Sequence, residues 1–397
     1  MESALHDRLD AAIDRADLIR SCREIVRIPS LTGDEAESAA FTRDLMVHLG
    51  FDAVEIDGNG NVIGTIAGHG DGPSVMLNGH LDHVPVGAME EPFSAKLVEG
   101  ARWGEPGQAI YGRGSCDMKC NVVSAIHAAA AVKAAGLRPC GDVIVVADVE
   151  EETDSPKGVA SVVARGVRAD YGISVESTRG GVYLGHRGKI ELDLVVRGRT
   201  SHASEPSNGI NAIYEALRYA EAIRAYGNGL PSDDLLGRAT VTLTGFHSHP
   251  DNGSALVPDE VRIRIDRRYV RGETPQSCEA ELRDVVARAA GPDHGDQWSL
   301  NLFNHYPLLF TEPDNPVVRE AVRALEATTG TTPRLAAWRF GVNGTFMAAA
   351  GIPTVGVGPG DEIWAHTPQE HICVDELHMV TRALARLIAG ITRARAP

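Results

Sequence analysis

Apolar residues fall along this chain in two rhythms. In the opening and closing stretches, short unbroken apolar runs at residues 75–77, 143–147, 173–175 and 354–357 alternate with segments of helical period. The runs predict buried strands. Helices are predicted up to residue 28, where Pro29 stops the first, over 34–49 ahead of Gly50, over the alanine-rich 121–135 ended by Gly136, and over 374–389. Short strands alternating with helices predict an α/β sheet. In the middle of the chain the rhythm becomes a two-residue alternation in IELDLVVRG, ATVTLTGF and EVRIRIDRRYV, with helical patterns at 210–224 and 275–290. That alternation belongs to half-exposed antiparallel strands. The expectation is an open-faced α+β unit at 187–308, inserted between segments 1–186 and 309–397 of an α/β domain.

Bulk properties narrow the function. A chain of 397 residues, 43% hydrophobic and 23% charged, can form two domains with a substantial core. The formal net charge of −16 argues against nucleic acid or anionic membrane as a partner. No apolar run reaches the roughly eighteen residues of a membrane span. MESALHDRLDAAIDRADLIR lacks the apolar core of a signal peptide. The six cysteines are scattered with no CxxC spacing, which reads as reduced thiols in the cytoplasm.

The chemistry concentrates where the strands end. Glu150, Glu151 and Glu152 follow the run 143–147, an unfavourable place for three like charges unless cations sit there. His80 follows VML in NGHLDHVPV, Asp117 precedes a helix in GRGSCDMK, Glu176 follows ISV, and His366 lies in DEIWAHT. In open α/β sheets ligands bind beyond the carboxyl ends of the strands. Imidazole and carboxylate together are ligands for Zn²⁺ or a similar divalent ion. If Asp117 bridges, Glu152 with one histidine and Glu176 with the other bind one ion each. Two divalent ions then balance three carboxylates and one hydroxide. Glu151 is left over as a general base, and Asp82 as an acceptor for the second ring N–H of His80. A register shifted back by one residue, to Glu150 and Glu151, is the alternative. His83 and Cys116 read as packing residues. His247, His249 and Asp251 have the composition of a metal cluster but sit in what reads as a loop, and DGNGNVIG reads as a hairpin turn.

HLDHVPV, GRGSCDMK, the Glu151–Glu152 pair, VES and AHT together resemble the dinuclear-zinc metallopeptidase family of aminoacylases, acetylornithine deacetylases, succinyl-diaminopimelate desuccinylases and glutamate carboxypeptidases. The resemblance spans nearly the whole chain in order. It implies a mixed-sheet catalytic domain with an inserted dimerisation or lid domain, and a homodimer. It implies two divalent ions, zinc first with cobalt or manganese as alternatives, on His80, Asp117, Glu152, Glu176 and His366, with Glu151 as base and a cis Asp117–Met118 peptide. RGRTSHASEPSNGINA resembles the segment whose histidine, here His202, reaches the partner subunit's active site and polarises the scissile carbonyl. VPDEVRIRIDRR resembles the segment whose arginine, here Arg268, meets a substrate carboxylate. Ala255, Cys120, His83, Met89–Glu90–Glu91 and the RFGVNGT segment with Asn343 depart from the family pattern and border the substrate space. The expected reaction is hydrolysis of the amide bond of an N-acyl amino acid or small peptide. Hydrolysis of another C–N bond (amidine, ureido or activated aromatic amine) and a non-catalytic binding role are the alternatives.

Overall fold

The apolar runs form the centre of a nine-stranded sheet in a computed structural model that describes residues 2–251, 255–292 and 297–395. The sheet order is Ala53–Ile56, Val62–Ile66, Val143–Asp148, Val75–His80, Tyr171–Ser174, Thr354–Gly356, Val182–His186 and Leu309–Phe310, with Leu335–Trp338 beside Val182–His186. From Val143–Asp148 to Thr354–Gly356 the neighbours are parallel. The strands flanking that block pair antiparallel, so the sheet is mixed. Four parallel strands send their carboxyl ends to one edge, and the residues that follow them meet there.

Helix Lys119–Ala134 is buried along almost its whole length and packs with Val374–Ile391 and Arg15–Arg27. Another core gathers Ile63, Met76, Ile144 and Val146 of the sheet with Val159, Val162, Val163, Met347 and Ile352. Gly79, one residue before His80, is required by closeness. A Cβ there would lie 2.7 Å from Met118 Cε and 2.9 Å from Val175 Cγ2. The N-terminal stretch is two helices, Glu2–Ala11 and Arg15–Arg27, rather than the single one expected. Asp14 makes the break, because its carboxylate caps the second helix by accepting from the N–H groups of Ala16 and Asp17. DGNGNVIG is the expected hairpin, with Asp57 accepting from the N–H groups of Asn59 and Asn61.

The chain divides into two compact units. One runs to Gly185 and resumes over Leu309–Ala337 and from Val342; the other is His186–Leu308 with Trp338–Gly341. The four residues 338–341, remote in the chain, are absent from the boundaries read in the sequence. The second unit is an antiparallel sheet in the order Thr240–His249, Glu260–Tyr269, Gly188–Arg197, Trp298–Tyr306, with helices Ala212–Gly227 and Pro275–Ala290 packed on it. Alternation explains it: Ile190, Leu192, Leu194, Ile263 and Ile265 turn inward onto Tyr219, Ile223, Leu282 and Val286. Each such side chain contributes about 1.5–3 kcal/mol by burial. Arg262, Arg264, Asp193 and Glu191 take the other face. His247 and His249, expected in a loop, lie exposed on the edge strand Thr240–His249. β-Branched alternation through TVTLTGF carries the strand past the glycine. No helix among the described residues is long and apolar enough to cross a membrane.

Candidate metal centre

Five side chains converge at the carboxyl edge of the parallel strands. His80 Nε2 lies 3.1 Å from Asp117 Oδ1 and 3.6 Å from Glu176 Oε1. His366 Nε2 lies 3.1 Å from Asp117 Oδ2 and 3.0 Å from Glu152 Oε2. Asp117 therefore turns one oxygen toward each histidine, with Glu176 on the His80 side and Glu152 on the His366 side. Among the described residues, His80, Asp117 and Glu152 present ligand atoms within 4.8 Å of one another. The Asp117–Met118 peptide is cis. His366 sits at φ +62°, a left-handed conformation unusual for a side chain with a Cβ and of the sort found at functional sites.

The two acids after Val149 are held by their backbone. The N–H groups of Glu151 and Glu152 donate to Asp82 Oδ1 and Oδ2 at 3.1 Å each, and the Glu150 N–H donates to Glu35 Oε1 at 3.1 Å. This grip accompanies the left-handed φ of +55° at Glu150. Asp82 also accepts from Thr32 Oγ1 at 2.8 Å, and its Oδ1 lies 3.3 Å from His80 Nδ1. His80 Nδ1 is further met by the Asp82 carbonyl oxygen at 3.0 Å. With Nδ1 engaged there, Nε2 is the ring nitrogen that faces the cluster and would offer its lone pair to a bound ion. The Glu150 side chain points elsewhere, to Lys157 Nζ at 2.6 Å and Ser155 Oγ at 2.8 Å. That engagement disfavours the shifted register. His83 is a packing residue: it accepts from the Ser30 N–H, faces the Val84 carbonyl, and is pushed down to about 4 by burial.

Electrostatics show a surplus of negative charge. Burial pushes the Glu176 carboxyl up to about 7 against the opposing pull of His80, whose Nε2 lies 3.6 Å away. Burial also drives Glu151 well above the usual carboxylate range, with Glu176, Glu152 and Asp117 adding to it. Hydrogen bonds to Asp117 and Glu152 push the His366 imidazole up to about 10. On Asp117 burial works upward, but its bonds to His366 and His80 outweigh it and hold the acid low. Three ligand carboxylates sharing two imidazoles form a donor set whose negative charge a pair of divalent cations would offset. The residues present fit the metal pair expected from the sequence.

The site also holds residues that sequence reasoning missed. Thr32 and Glu35 brace the glutamate turn from a segment more than a hundred residues away in the chain. Glu370, fully buried, pairs with Arg113 and accepts from the N–H groups of Cys116 and Asp117. The available signal was its position, an acid directly ahead of the apolar HIC strand. Asn343, expected at the substrate, is 5% exposed and donates through Nδ2 to Asp148 Oδ2 at 2.6 Å. It supports the acid paired in register with His80. Arg268 makes a two-pronged contact with Asp266, at 2.9 and 3.0 Å. His202 is exposed, with Nδ1 2.7 Å from Ser204 Oγ. Arg268 and His202 belong to the second compact unit.

Asp148 yields a pH prediction. Burial pushes its carboxyl up from 3.8 to about 6, and Oδ1 has no hydrogen-bond partner. A folded-state value above the unfolded one means that protonation favours folding. The stabilising effect is complete below about pH 4 and lost as pH rises through about 6. Asp148→Asn, measured by urea unfolding with chelator present, is expected to exceed the parent by up to about 3 kcal/mol at pH 8 and to match it at pH 4. A difference that does not change with pH contradicts this.

The fold and the site define a metal-dependent hydrolase. The family model described as "Peptidase family M20/M25/M40" matches residues 76–390, and the chain belongs to that family. It is 32% identical over 384 residues to the uncharacterized protein YgeY of Escherichia coli, covering 93% of this chain and 92% of that one. It is 27% identical over 381 residues to a succinyl-diaminopimelate desuccinylase of Stenotrophomonas maltophilia, covering 92% and 96%. Among solved structures it resembles a tripeptidase of Staphylococcus aureus with TM-score 0.77 at 22% identity, covering 96% of this chain and 99% of the other. That last likeness concerns the fold alone.

Proposed function

We propose that this protein hydrolyses the amide bond of a small carboxylate-bearing substrate, an N-acyl amino acid or short peptide, as a homodimer in the cytoplasm. The carrying observation is Asp117 standing between His80–Glu176 and His366–Glu152, with the buried Glu151 alongside. The likeness to a desuccinylase supports an acylated amino acid as substrate. Six unpaired cysteines suit a reducing compartment.

His80, Asp117, Glu152, Glu176 and His366 would hold two divalent ions, zinc first. Such ions supply Lewis acidity toward the scissile carbonyl and lower the pKa of water toward about 7. Glu151 takes the proton of the attacking water and delivers it to the leaving nitrogen, a task suited to a buried carboxyl whose proton affinity is raised by burial and by the neighbouring acids. Asp82 fixes the His80 tautomer and, through two N–H groups, the turn that carries Glu151. His202 of the partner subunit donates to the developing oxyanion. Arg268 receives the substrate carboxylate, exchanging its present partner Asp266 for it.

The test is a panel of N-acyl amino acids, di- and tripeptides and ureido compounds on protein of measured metal content. Amine release from carboxylate-bearing amides is expected, lost to background with chelator and restored by zinc, cobalt or manganese. Ammonia release from a non-amide substrate would move the reading to another C–N bond. Metal-loaded protein inert on every substrate would end the catalytic reading.

A further inference from the structure

Glu370 is a buried acid that no step above uses. It ends the loop that carries His366 and directly precedes the strand His371–Cys373, which pairs with Gln108–Tyr111. Its side chain is 0% exposed. One oxygen, Oε2, meets the buried guanidinium of Arg113. The other, Oε1, accepts the N–H groups of Cys116 and Asp117, at 3.1 Å each. Enclosing an acid and its counter-ion away from water is costly, so the pair needs good geometry and further hydrogen bonds to persist. Those further bonds go to the backbone of Asp117, which faces both histidines, and of Cys116 just before it.

We infer that Glu370 is a positioning residue for the metal centre. From the loop that bears His366 it grips the backbone of Cys116 and Asp117, and so fixes the shared carboxylate relative to His366. Its acceptor oxygen does this, and the charge pair with Arg113 keeps that oxygen in place. The consequence is that Glu370 governs metal affinity while touching neither ion nor substrate. This rests on the reading of the cluster as a metal centre.

Zinc affinity of the full-length protein, measured by competition with a chromogenic chelator, tests the inference. Glu370→Gln keeps the reach and an acceptor oxygen. Glu370→Asp keeps the charge but withdraws the carboxylate by one carbon–carbon bond, about 1.5 Å, which takes it out of hydrogen-bond range. Glu370→Asp is expected to weaken zinc binding about 10–100-fold and Glu370→Gln by no more than about threefold. The double variant Arg113→Met with Glu370→Gln leaves no buried charge unpaired. It is expected to behave as Glu370→Gln, and it stands in for that variant if an amide beside Arg113 prevents folding. Unfolding midpoints in chelator separate folding from metal binding. Parent-like zinc affinity in a folded Glu370→Asp, or a loss in the glutamine variants that equals or exceeds the aspartate loss, overturns the inference. A parent that binds no zinc overturns the metal-centre reading instead, which is a separate result.

Discussion

Replacing Glu151 by glutamine is expected to lower kcat by about 10²–10⁴-fold, the range supplied by a positioned acid–base group, and to leave metal content at the parental value. The side chain keeps its volume and loses only the capacity to carry a proton between water and the leaving nitrogen. Its backbone N–H still donates to Asp82 Oδ1, so the turn that also places Glu152 has no reason to move. Burial and the neighbouring Glu176 and Glu152 already disfavour the charged form of Glu151, so a neutral amide of the same size should not lower stability. KM should change little if Glu151 acts on the proton rather than on binding. Loss of metal in Glu151→Gln, or a kcat within tenfold of the parent, would remove Glu151 from the role of base.

Asp117→Asn is expected to empty the site. One oxygen of Asp117 faces His80 and the other faces His366, and an amide cannot offer two anionic oxygens. Metal affinity should fall by more than the roughly 10–100-fold cost of losing an outer partner, on both sides together, and activity should disappear with it. Glu152→Gln should act on one side only, since Glu152 pairs with His366 while Glu176 stays with His80. Metal content by elemental analysis distinguishes these patterns. Asp117→Asn with two tightly held ions would refute the shared carboxylate.

Much of this arrangement was readable from the chain because parallel strands impose it. An unbroken apolar run followed by a polar residue marks a buried strand and its carboxyl end, and this rule located His80, Glu151, Glu152 and Glu176. The strand rule alone left a one-residue alternative among the three glutamates; in the structure Glu35 and Asp82 hold successive N–H groups and the Glu150 side chain turns toward Lys157. Local pattern also missed Glu370, whose partners Arg113, Cys116 and Asp117 lie some 250 residues earlier. The alternation of EVRIRIDRRYV marked a half-exposed strand, on which Arg268 and Asp266 share one face. It could not show that the two would pair with each other. Asn343 looked like a substrate contact because it stands in a segment that departs from the family pattern; burial made it a support for Asp148.

The central claim is that two divalent ions lie on either side of Asp117. Crystals of the protein, with anomalous diffraction collected at the zinc edge, test it most directly. Two peaks are expected, one shared by His80, Asp117 and Glu176 and the other by His366, Asp117 and Glu152, with Glu151 close to both and bound to neither. A zinc-supplied crystal with no peak at Asp117, or with density on Glu150 or on His247 and His249 in its place, would contradict the account.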